Sequence, residues 1–358
     1  MRIQRIGWAL VVACCFAGPG MMAQVDTLVE EEEDYSMYDN LDFADGGAKN
    51  FCSNKILGLS PAKLISIGYD LQLGYDLQTD TLRDALPETV PFSRTGGLRL
   101  AANIPVISRN DFILQVGANY WESTYTAADA AAIQHPLGQN LAQNGLRTTG
   151  LNTTIFKPFD DTRFVVVQAS ADLNGDYAFS DIMPLEYLKY SAAALYGKRP
   201  SDNKQWAVGV ARTYRVGEMN YIPIVLFNYT DAANKWGTEI LFPARAHVRR
   251  TFSPRQMMFA GYELEGQSYR LTRGPFAEDD LEIRRGELRF RLVYEQSVYN
   301  FIWISAQAGY RVNYSYNVDE LTDGNEFFRG FFGDQPYVME NTLTNPFYFQ
   351  ISLNLVSP

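Results

Sequence analysis

The clearest chemical pattern in this sequence is a set of charged side chains at alternate positions in its second half. They occupy three successive stretches: Arg245, His247 and Arg249, then Glu263 and Glu265, then Arg285, Glu287, Arg289, Arg291 and Glu295. In an extended strand, alternate side chains point to the same face. Charges that are removed from water must be paired. The pattern therefore predicts a charge ladder across neighbouring strands, in which Glu263 and Glu265 neutralise Arg289 and Arg291.

The sequence offers little for catalysis or for metal binding. It contains 2 histidines, of which His135 precedes a proline and His247 lies within the charge ladder. A catalytic histidine needs a nucleophile and an orienting side chain, and no Ser-Asn-Gly element follows His247. The sequence has no phosphate-binding glycine loop that ends in Lys-Ser or Lys-Thr. We therefore predict no enzyme activity, cofactor or resident metal. We also predict no nucleic-acid partner, because a basic footprint is absent.

The elements that would position the ladder are long strands with two different faces. Residues 64–78 alternate between an apolar face and a face of small or polar residues, and the apolar face comprises Ile65, Ile67, Tyr69, Leu71, Leu73, Tyr75 and Leu77. The same alternation recurs in 97–104, 258–265, 287–295 and 302–315. A soluble β-sandwich also alternates in this way, and it stays an alternative. The length of the runs and the tyrosines near their ends favour strands that cross a membrane.

Residues 49–358 are therefore predicted to form an all-β, antiparallel transmembrane β-barrel that contacts outer-membrane lipid. Thirteen stretches have strand character, whereas bacterial single-chain barrels have an even number of strands. The doubtful region is 221–248, because Pro223 and Pro243 interrupt it and proline cannot donate to a strand ladder. We predict about 12 strands, with 14 as the alternative. The long links 122–146 and 317–345 are expected outside the cell, and short links such as 157–162 in the periplasm.

The N-terminal residues predict export followed by a short disordered tail. Arg2 and Arg5 precede an apolar stretch, and small residues follow it up to Ala23, which is the order of a secretory signal peptide. We predict a signal peptide over residues 1–23, cleaved near Ala23. The lipobox-like residues before Cys14 leave lipidation of that cysteine as an alternative. Residues 24–48 contain nine acids and no Lys or Arg, which predicts an acidic, disordered periplasmic tail.

The C-terminal segment predicts a partner. Apolar residues alternate with polar ones up to the end of the chain, and they are Phe347, Phe349, Ile351, Leu353 and Leu355. A final amphipathic strand rich in aromatics looks like the insertion signal that the barrel-assembly machinery recognises. This segment departs from the usual pattern, because its last apolar position is Leu355 rather than an aromatic residue. We nevertheless predict the barrel-assembly machinery as a partner through this strand.

Two short motifs carry a family resemblance. The first is Lys49-Asn50-Phe51-Cys52 followed by the segment from Gly58 to Tyr69, and the second is Phe242-Pro243-Ala244-Arg245 with Phe252-Ser253-Pro254. Both resemble an uncharacterised family of Bacteroidota-type outer-membrane β-barrels. The resemblance covers residues 46–358. Because its motifs are structural, it implies the fold and the location and transfers no catalytic residue.

Two interpretations of function stay open at this point. In the first, the protein is a narrow channel or transporter for a small solute, and the charge ladder lines the lumen and selects solutes by charge. In the second, the ladder packs the lumen, and the protein is a plugged structural or interaction barrel that acts through its loops or its acidic tail. A barrel of about 12 strands is narrow enough inside for either outcome.

Overall fold

The computed structural model describes residues 51–178, 180, 185–214, 220–320 and 337–357. The predicted signal peptide and acidic tail lie outside the described residues, so both stay predictions. Within the described ranges, no helix is long and apolar enough to cross a membrane.

The described chain is almost entirely β-structure. Its strands are β1 (Lys63–Gln78), β2 (Thr89–Arg109), β3 (Phe112–Ala127), β4 (Leu146–Pro158), β5 (Arg163–Gly175), β6 (Leu188–Ser201), β7 (Lys204–Thr213), β8 (Asn220–Thr230), β9 (Trp236–Phe242), β10 (Arg245–Ser253), β11 (Gln256–Leu271), β12 (Leu281–Tyr299), β13 (Ile302–Glu320), β14 (Thr342–Leu343) and β15 (Phe347–Val356). One α-helix, α1 (Pro136–Asn144), and two short 3₁₀ helices (Leu185–Tyr187 and Gly274–Phe276) complete the described elements.

Fourteen of these strands close into one antiparallel ring. From β1 to β13, each strand pairs with the next one along the chain, while β15 pairs with β13 on one side and with β1 on the other. The two-residue β14 adds to the end of β1 and lies outside the ring. The prediction of an all-β antiparallel barrel is therefore confirmed. The main prediction of 12 strands is wrong, and the alternative of 14 is correct.

The two prolines explain the error in the strand count. The doubtful region 221–248 contains β8, β9 and the start of β10, and the last two are joined by a tight hairpin at Pro243 and Ala244. Pro223 is paired with β7, but the pairing of β8 with β9 stops at Val225. Its missing N–H therefore leaves no gap in the β8–β9 ladder, and proline is tolerated at such an edge position.

The connections differ at the two ends of the barrel. At one end, here called the turn end, the strands are joined through residues 110–111, 159–162, 202–203, 231–235, 254–255 and 300–301. Longer connections, such as 79–88, 128–145 and 272–280, lie at the other end, the loop end. The segment 51–62 runs along the turn end, where the Cys52 N–H donates to Asp160 O at 2.9 Å and the Leu57 N–H donates to Asp202 O at 2.8 Å.

The outer surface of the barrel is apolar. On β15, the alternate residues Phe347, Phe349, Ile351, Leu353 and Leu355 are 41–60% exposed, whereas Ser352 and Asn354 are buried. The predicted apolar face of β1 is correct from Ile65 to Leu73 and wrong beyond it, because Tyr75 and Leu77 are buried inside. On the neighbouring strand β2, the pairing with β3 shifts register between Phe92 and Arg94. An irregularity of one residue exchanges the two faces of a strand.

An apolar cluster fills the loop end of the barrel. Its buried side chains come from strands on different sides of the ring and from the connections between them, and they include Tyr75, Leu77, Phe92, Tyr125, Leu271, Ile283, Tyr316 and Val318. Helix α1 adds Leu137 and Leu141. We call this group the loop-end cluster. It closes the side of the lumen between β1–β4 and β11–β13 with apolar side chains.

His135 positions α1 against the loop-end cluster. Its Nδ1 accepts a hydrogen bond from the Leu137 N–H at 3.2 Å, which satisfies one of the free donors at the start of the helix. Burial lowers the pKa of His135, so the ring is neutral at pH 7 and its Nδ1 remains an acceptor. The helix ends at Gly145, which has a positive φ of 63°. His135 therefore acts in the structure as a helix cap.

Candidate functional site: the barrel lumen

A cluster of buried charges crosses the lumen at mid-height. It consists of three acids and four arginines, namely Asp70, Glu265, Glu287, Arg99, Arg285, Arg289 and Arg311. We call it the ion cluster. Glu287, which is 0% exposed, accepts hydrogen bonds from Arg285, at 2.7 Å, and from Arg289. Glu265 accepts from Arg99 at 3.0 Å and from Arg289 at 2.7 Å.

Between neighbouring strands, the ion pairs are diagonal, whereas Glu287 pairs with Arg285 and Arg289 along its own strand. Glu265 lies directly opposite Glu287, and Arg289 lies directly opposite Arg311. Like charges that face each other are unfavourable, and diagonal neighbours remain within reach of long side chains. Glu265 therefore pairs with Arg289, and Glu263 pairs with Arg291. Interleaving the two signs in this way allows every charge of the cluster to lie next to opposite charges.

The remaining residues of the predicted ladder also face the lumen, in smaller groups. Arg249, which is 0% exposed, pairs with Glu239 at 2.6 Å. Glu295 pairs with Lys63 at 2.6 Å. His247 accepts from the Arg291 Nε at 3.0 Å. Their role in solute selection stays a prediction.

Arg245 differs from the other members of the ladder. It lines the lumen cavity described below, and among the described residues no carboxylate lies within ion-pair distance of it. Its register partner on β11 is Glu263, whose carboxylate is bound to Arg291 instead. Arg245 therefore presents to the cavity a cation that forms no ion pair with a described residue.

Sequence reasoning missed the cluster members on β1, β2 and β13. Asp70, Arg99 and Arg311 lie on the polar faces of their strands, and alternation alone was the available signal. The Asp70 carboxylate approaches Arg289 at 3.7 Å, although β1 and β12 are separated by two strands in the ring. This contact across the lumen exists because the barrel is closed. The pattern along one strand carries no such information.

The opposite wall of the lumen, formed by β6–β9, is mainly aliphatic, and its hydroxyl groups, those of Ser191 and Thr213, are hydrogen-bonded to each other. Its inward side chains at mid-height are small or branched: Ala193, Ala211, Ile222, Ile224 and Leu241. Between this aliphatic wall and the charged wall lies a cavity of about 650 Å³, which we call the main cavity. Arg99, Arg245, Arg289 and Arg291 line its charged side, together with Glu263 and Glu265, which are bound to Arg291 and Arg289. A ligand in the main cavity would therefore contact hydrocarbon on one side and charged groups on the other, among which Arg245 has no carboxylate of a described residue bound to it.

In the part of the chain that the structure describes, the barrel wall has a notch beside the main cavity. The β9–β10 hairpin ends at Pro243 and Ala244, which both line the cavity. The flanking strands continue past it, and among the described residues neither 221–224 of β8 nor 265–269 of β11 has a strand partner on that side. Farther along, Arg270 of β11 pairs with Gly175 of β5. The main cavity thus adjoins a gap in the wall, and exposed Phe242 and Val225 lie at its rim.

The site contains no metal-binding arrangement in the part of the chain that the structure describes, since no group of three or more His, Cys, Asp or Glu side chains is placed to hold an ion. The acids Asp70, Glu239, Glu287 and Glu295 are instead bound to arginines or to Lys63, and Asp172 is bound to Asn119, Ser170 and Tyr214. The available chemistry is therefore binding through charge and apolar contact.

Comparison with known proteins gives similarity of fold. No protein-family model and no curated protein sequence matches the chain. Among solved structures, an outer-membrane channel from Pseudomonas putida F1 is 10% identical, with 87% of this chain and 100% of that chain covered and a TM-score of 0.40. A FadL homologue from Pseudomonas aeruginosa is 9% identical, with 82% and 90% covered and a TM-score of 0.37. The Pseudomonas putida toluene transporter TodX is 8% identical, with 87% and 95% covered and a TM-score of 0.29.

These similarities are too distant to carry an argument about substrate or mechanism, because identities and TM-scores are low. They give no support to a Bacteroidota-type family, so that resemblance stays a prediction. The function must be argued from the lumen itself.

Proposed function

We propose that this protein is an outer-membrane β-barrel that binds and transports small amphipathic solutes with an acidic head group. The observation that carries the proposal is the main cavity, in which Arg245 lies without a carboxylate partner opposite an aliphatic wall. A carboxylate or phosphate is the natural partner of a guanidinium group. A hydrocarbon tail would gain free energy from burial against Ile222, Ile224 and Leu241.

The location in a membrane is supported by the outer surface. Exposed apolar side chains alternate along the ring strands, and exposed aromatic residues lie near the turn end: Phe159, Trp236, Phe252, Tyr299 and Phe301. Lipid-facing bands flanked by aromatic residues are the surface of transmembrane barrels. The amphipathic β15 also supports the proposed recognition by the barrel-assembly machinery.

The solute route that we propose passes through the notch. The loop-end cluster and the ion cluster narrow the path along the barrel axis, whereas the notch adjoins the main cavity and has apolar residues at its rim. An amphipathic solute partitions into a membrane and therefore reaches such an opening readily. In this scheme the ladder holds the charged wall in place, and Arg245 with Arg291 binds the head group.

A plugged interaction barrel is the second candidate. The packed loop-end cluster and the buried ion cluster favour it, because both resemble structural packing rather than the lining of an open pore. The main cavity and the unpaired Arg245 favour transport, since a purely structural lumen has no use for either. The following two measurements test location first and solute binding second.

We expect the protein to remain in the sarkosyl-insoluble outer-membrane fraction and to migrate differently on a gel before and after boiling. A closed barrel of fourteen strands retains its compact form in mild detergent, and its apolar exterior requires lipid or detergent. Recovery from the soluble periplasm, with no effect of boiling on migration, would mean that the apolar surface does not face a membrane.

We expect Arg245→Gln to weaken the binding of octanoate by about tenfold or more, since a hydrogen bond to a charged group contributes about 1.5–3 kcal/mol. Isothermal titration calorimetry on the purified barrel measures this effect. Octanol, which lacks the charge, should bind equally well to the original and the variant. Arg250→Gln is the matched control, because Arg250 lies on the same strand and stacks on Trp236 at 4.6 Å. Equal octanoate affinities of the two variants would refute a head-group site at Arg245.

A further inference from the structure

A second cavity lies nearer the turn end, on the same side of the barrel as the main cavity. Its volume is about 210 Å³. Gln168 of β5 and Ile224 of β8 line the main cavity. Farther along the same strands towards the turn end, Val166, Phe164 and Leu226 line the second cavity. Its apolar lining consists of Ile113, Phe156, Phe164, Val166 and Leu226. The phenyl rings of Phe156 and Phe164 lie 5.2 Å apart, centroid to centroid.

Four polar residues line this cavity, namely Asn54, Gln115, Thr154 and Gln205, and two of them offer side-chain amides on the barrel wall, Gln115 and Gln205. Gln205 is 5% exposed and lines the cavity, as does Gln115 on β3. Among the described residues, neither side-chain amide takes part in a hydrogen bond within the protein. Buried polar groups are nearly always hydrogen-bonded, and leaving one unsatisfied is unfavourable. The two amides are therefore available to a molecule in the cavity, and we call the space the amide cavity.

The lining of the amide cavity restricts the chemistry of its occupant. None of its lining residues is charged, and an ion in an uncharged apolar space is strongly disfavoured. An apolar cavity of about 150 Å³ holds benzene, so the amide cavity accommodates a ring with one or two small substituents. Each amide offers both a donor and an acceptor, which suits a hydroxyl or a carbonyl group.

We propose that the amide cavity is a separate binding site for uncharged, ring-sized, largely apolar molecules that carry a hydroxyl or carbonyl group, held by Gln115 and Gln205. It differs from the main cavity in having no guanidinium group. The N-terminal segment forms its floor, because Asn54 lines the cavity and Cys52 packs with Phe156 and Phe164. Binding here does not depend on the transport of acidic solutes through the main cavity.

The test is fluorine NMR of para-fluorobenzyl alcohol and para-fluorotoluene with the purified, folded barrel. We expect both compounds to bind the original protein. Gln205→Leu should weaken binding of the alcohol about fivefold, since one hydrogen bond is lost, and should leave binding of the toluene unchanged or tighter. Leu226→Trp fills the cavity and should abolish binding of both compounds.

The control for bulk and for partitioning into detergent is Val167→Trp, because Val167 is the residue after Val166 on β5, faces outward, 38% exposed, and lies away from the notch. This variant should bind both compounds as the original does. Folding of each variant is checked by the effect of boiling on gel migration, and Val166→Phe replaces Leu226→Trp if the latter does not fold.

Three results would overturn the proposal. Absence of binding to the original protein would mean that the cavity holds water only. Equal binding by the Leu226→Trp and Val167→Trp variants would place the compounds elsewhere, in detergent or on the surface. An equal change for both compounds in Gln205→Leu would show that the amide does not contact the hydroxyl group. None of these results bears on octanoate binding at Arg245, which is measured separately.

Discussion

Replacing Glu287 with Gln is expected to destabilise the barrel by about 3–5 kcal/mol. The Glu287 side chain is 1% exposed, and its carboxylate lies against Arg285, Arg289 and Arg311. Its neutralisation leaves these buried guanidinium groups with too few acids, and four arginines then share Asp70 and Glu265. Breaking a buried ion pair by the removal of one partner carries the full desolvation penalty of the other. The measurement is unfolding in urea or on heating, followed by gel migration or tryptophan fluorescence.

Glu263→Gln is the matched control for this prediction. Glu263 also faces the lumen and pairs with Arg291, but its side chain is 28% exposed, against 1% for Glu287. Since solvent compensates for the lost pair, a loss of at most about 1 kcal/mol is expected. Equal small losses in the two variants would show that water reaches the whole ion cluster. The lumen would then be open at mid-height, contrary to the packed arrangement.

Replacing Leu292 with Arg is expected to destabilise the inserted barrel by about 2–4 kcal/mol, the magnitude for a cation near the bilayer midplane. Leu292 lies on the outward face of β12, 55% exposed, between Phe290 and Tyr294. In water, an exposed leucine is replaced by arginine at almost no cost, because neither side chain is buried. In a bilayer the same position contacts lipid hydrocarbon. Unfolding and refolding in lipid vesicles measures the difference.

The control is the same substitution at Leu86, which lies in the β1–β2 connection and is 78% exposed. Leu86→Arg should change stability by no more than about 0.5 kcal/mol, as surface substitutions usually do. If Leu292→Arg is as harmless as Leu86→Arg, the outer surface does not face lipid. The soluble β-sandwich alternative would still be excluded, because the ring is closed.

Several features of this protein follow from its sequence alone. Alternation with a period of two separates inward from outward side chains along β11, β12, β13 and β15, because successive residues of a strand point to opposite faces. The ladder residues Glu263, Glu287 and Arg289 follow from this rule. The barrel follows as well, since antiparallel strands with one apolar face each must either close or expose an edge. These are properties of residues that are close together along the chain.

The strand number depended on tertiary structure. Proline interrupts the hydrogen-bond ladder between two strands wherever its missing N–H would have donated. The sequence does not show whether the neighbouring strand extends as far as the proline. Pro223 is harmless because β9 ends before it, and Pro243 forms a hairpin between two short strands. The alternation also does not predict the reversal of faces near Tyr75. Beyond Leu73, the side chains of Tyr75 and Leu77 point inward, where they pack in the loop-end cluster.

The cavities and the ion cluster were decided by ring closure. Asp70 meets Arg289 across the lumen, and Arg245 meets an aliphatic wall instead of an acid, because the number of strands fixes which walls face each other. The pattern along a strand gives the chemistry of the wall to which that strand belongs. It does not show which wall faces it across the lumen. The sequence therefore determined which side chains enter the lumen. Only the closed barrel determined which of them are neutralised there, and which, like Arg245 and Gln205, remain available to a ligand.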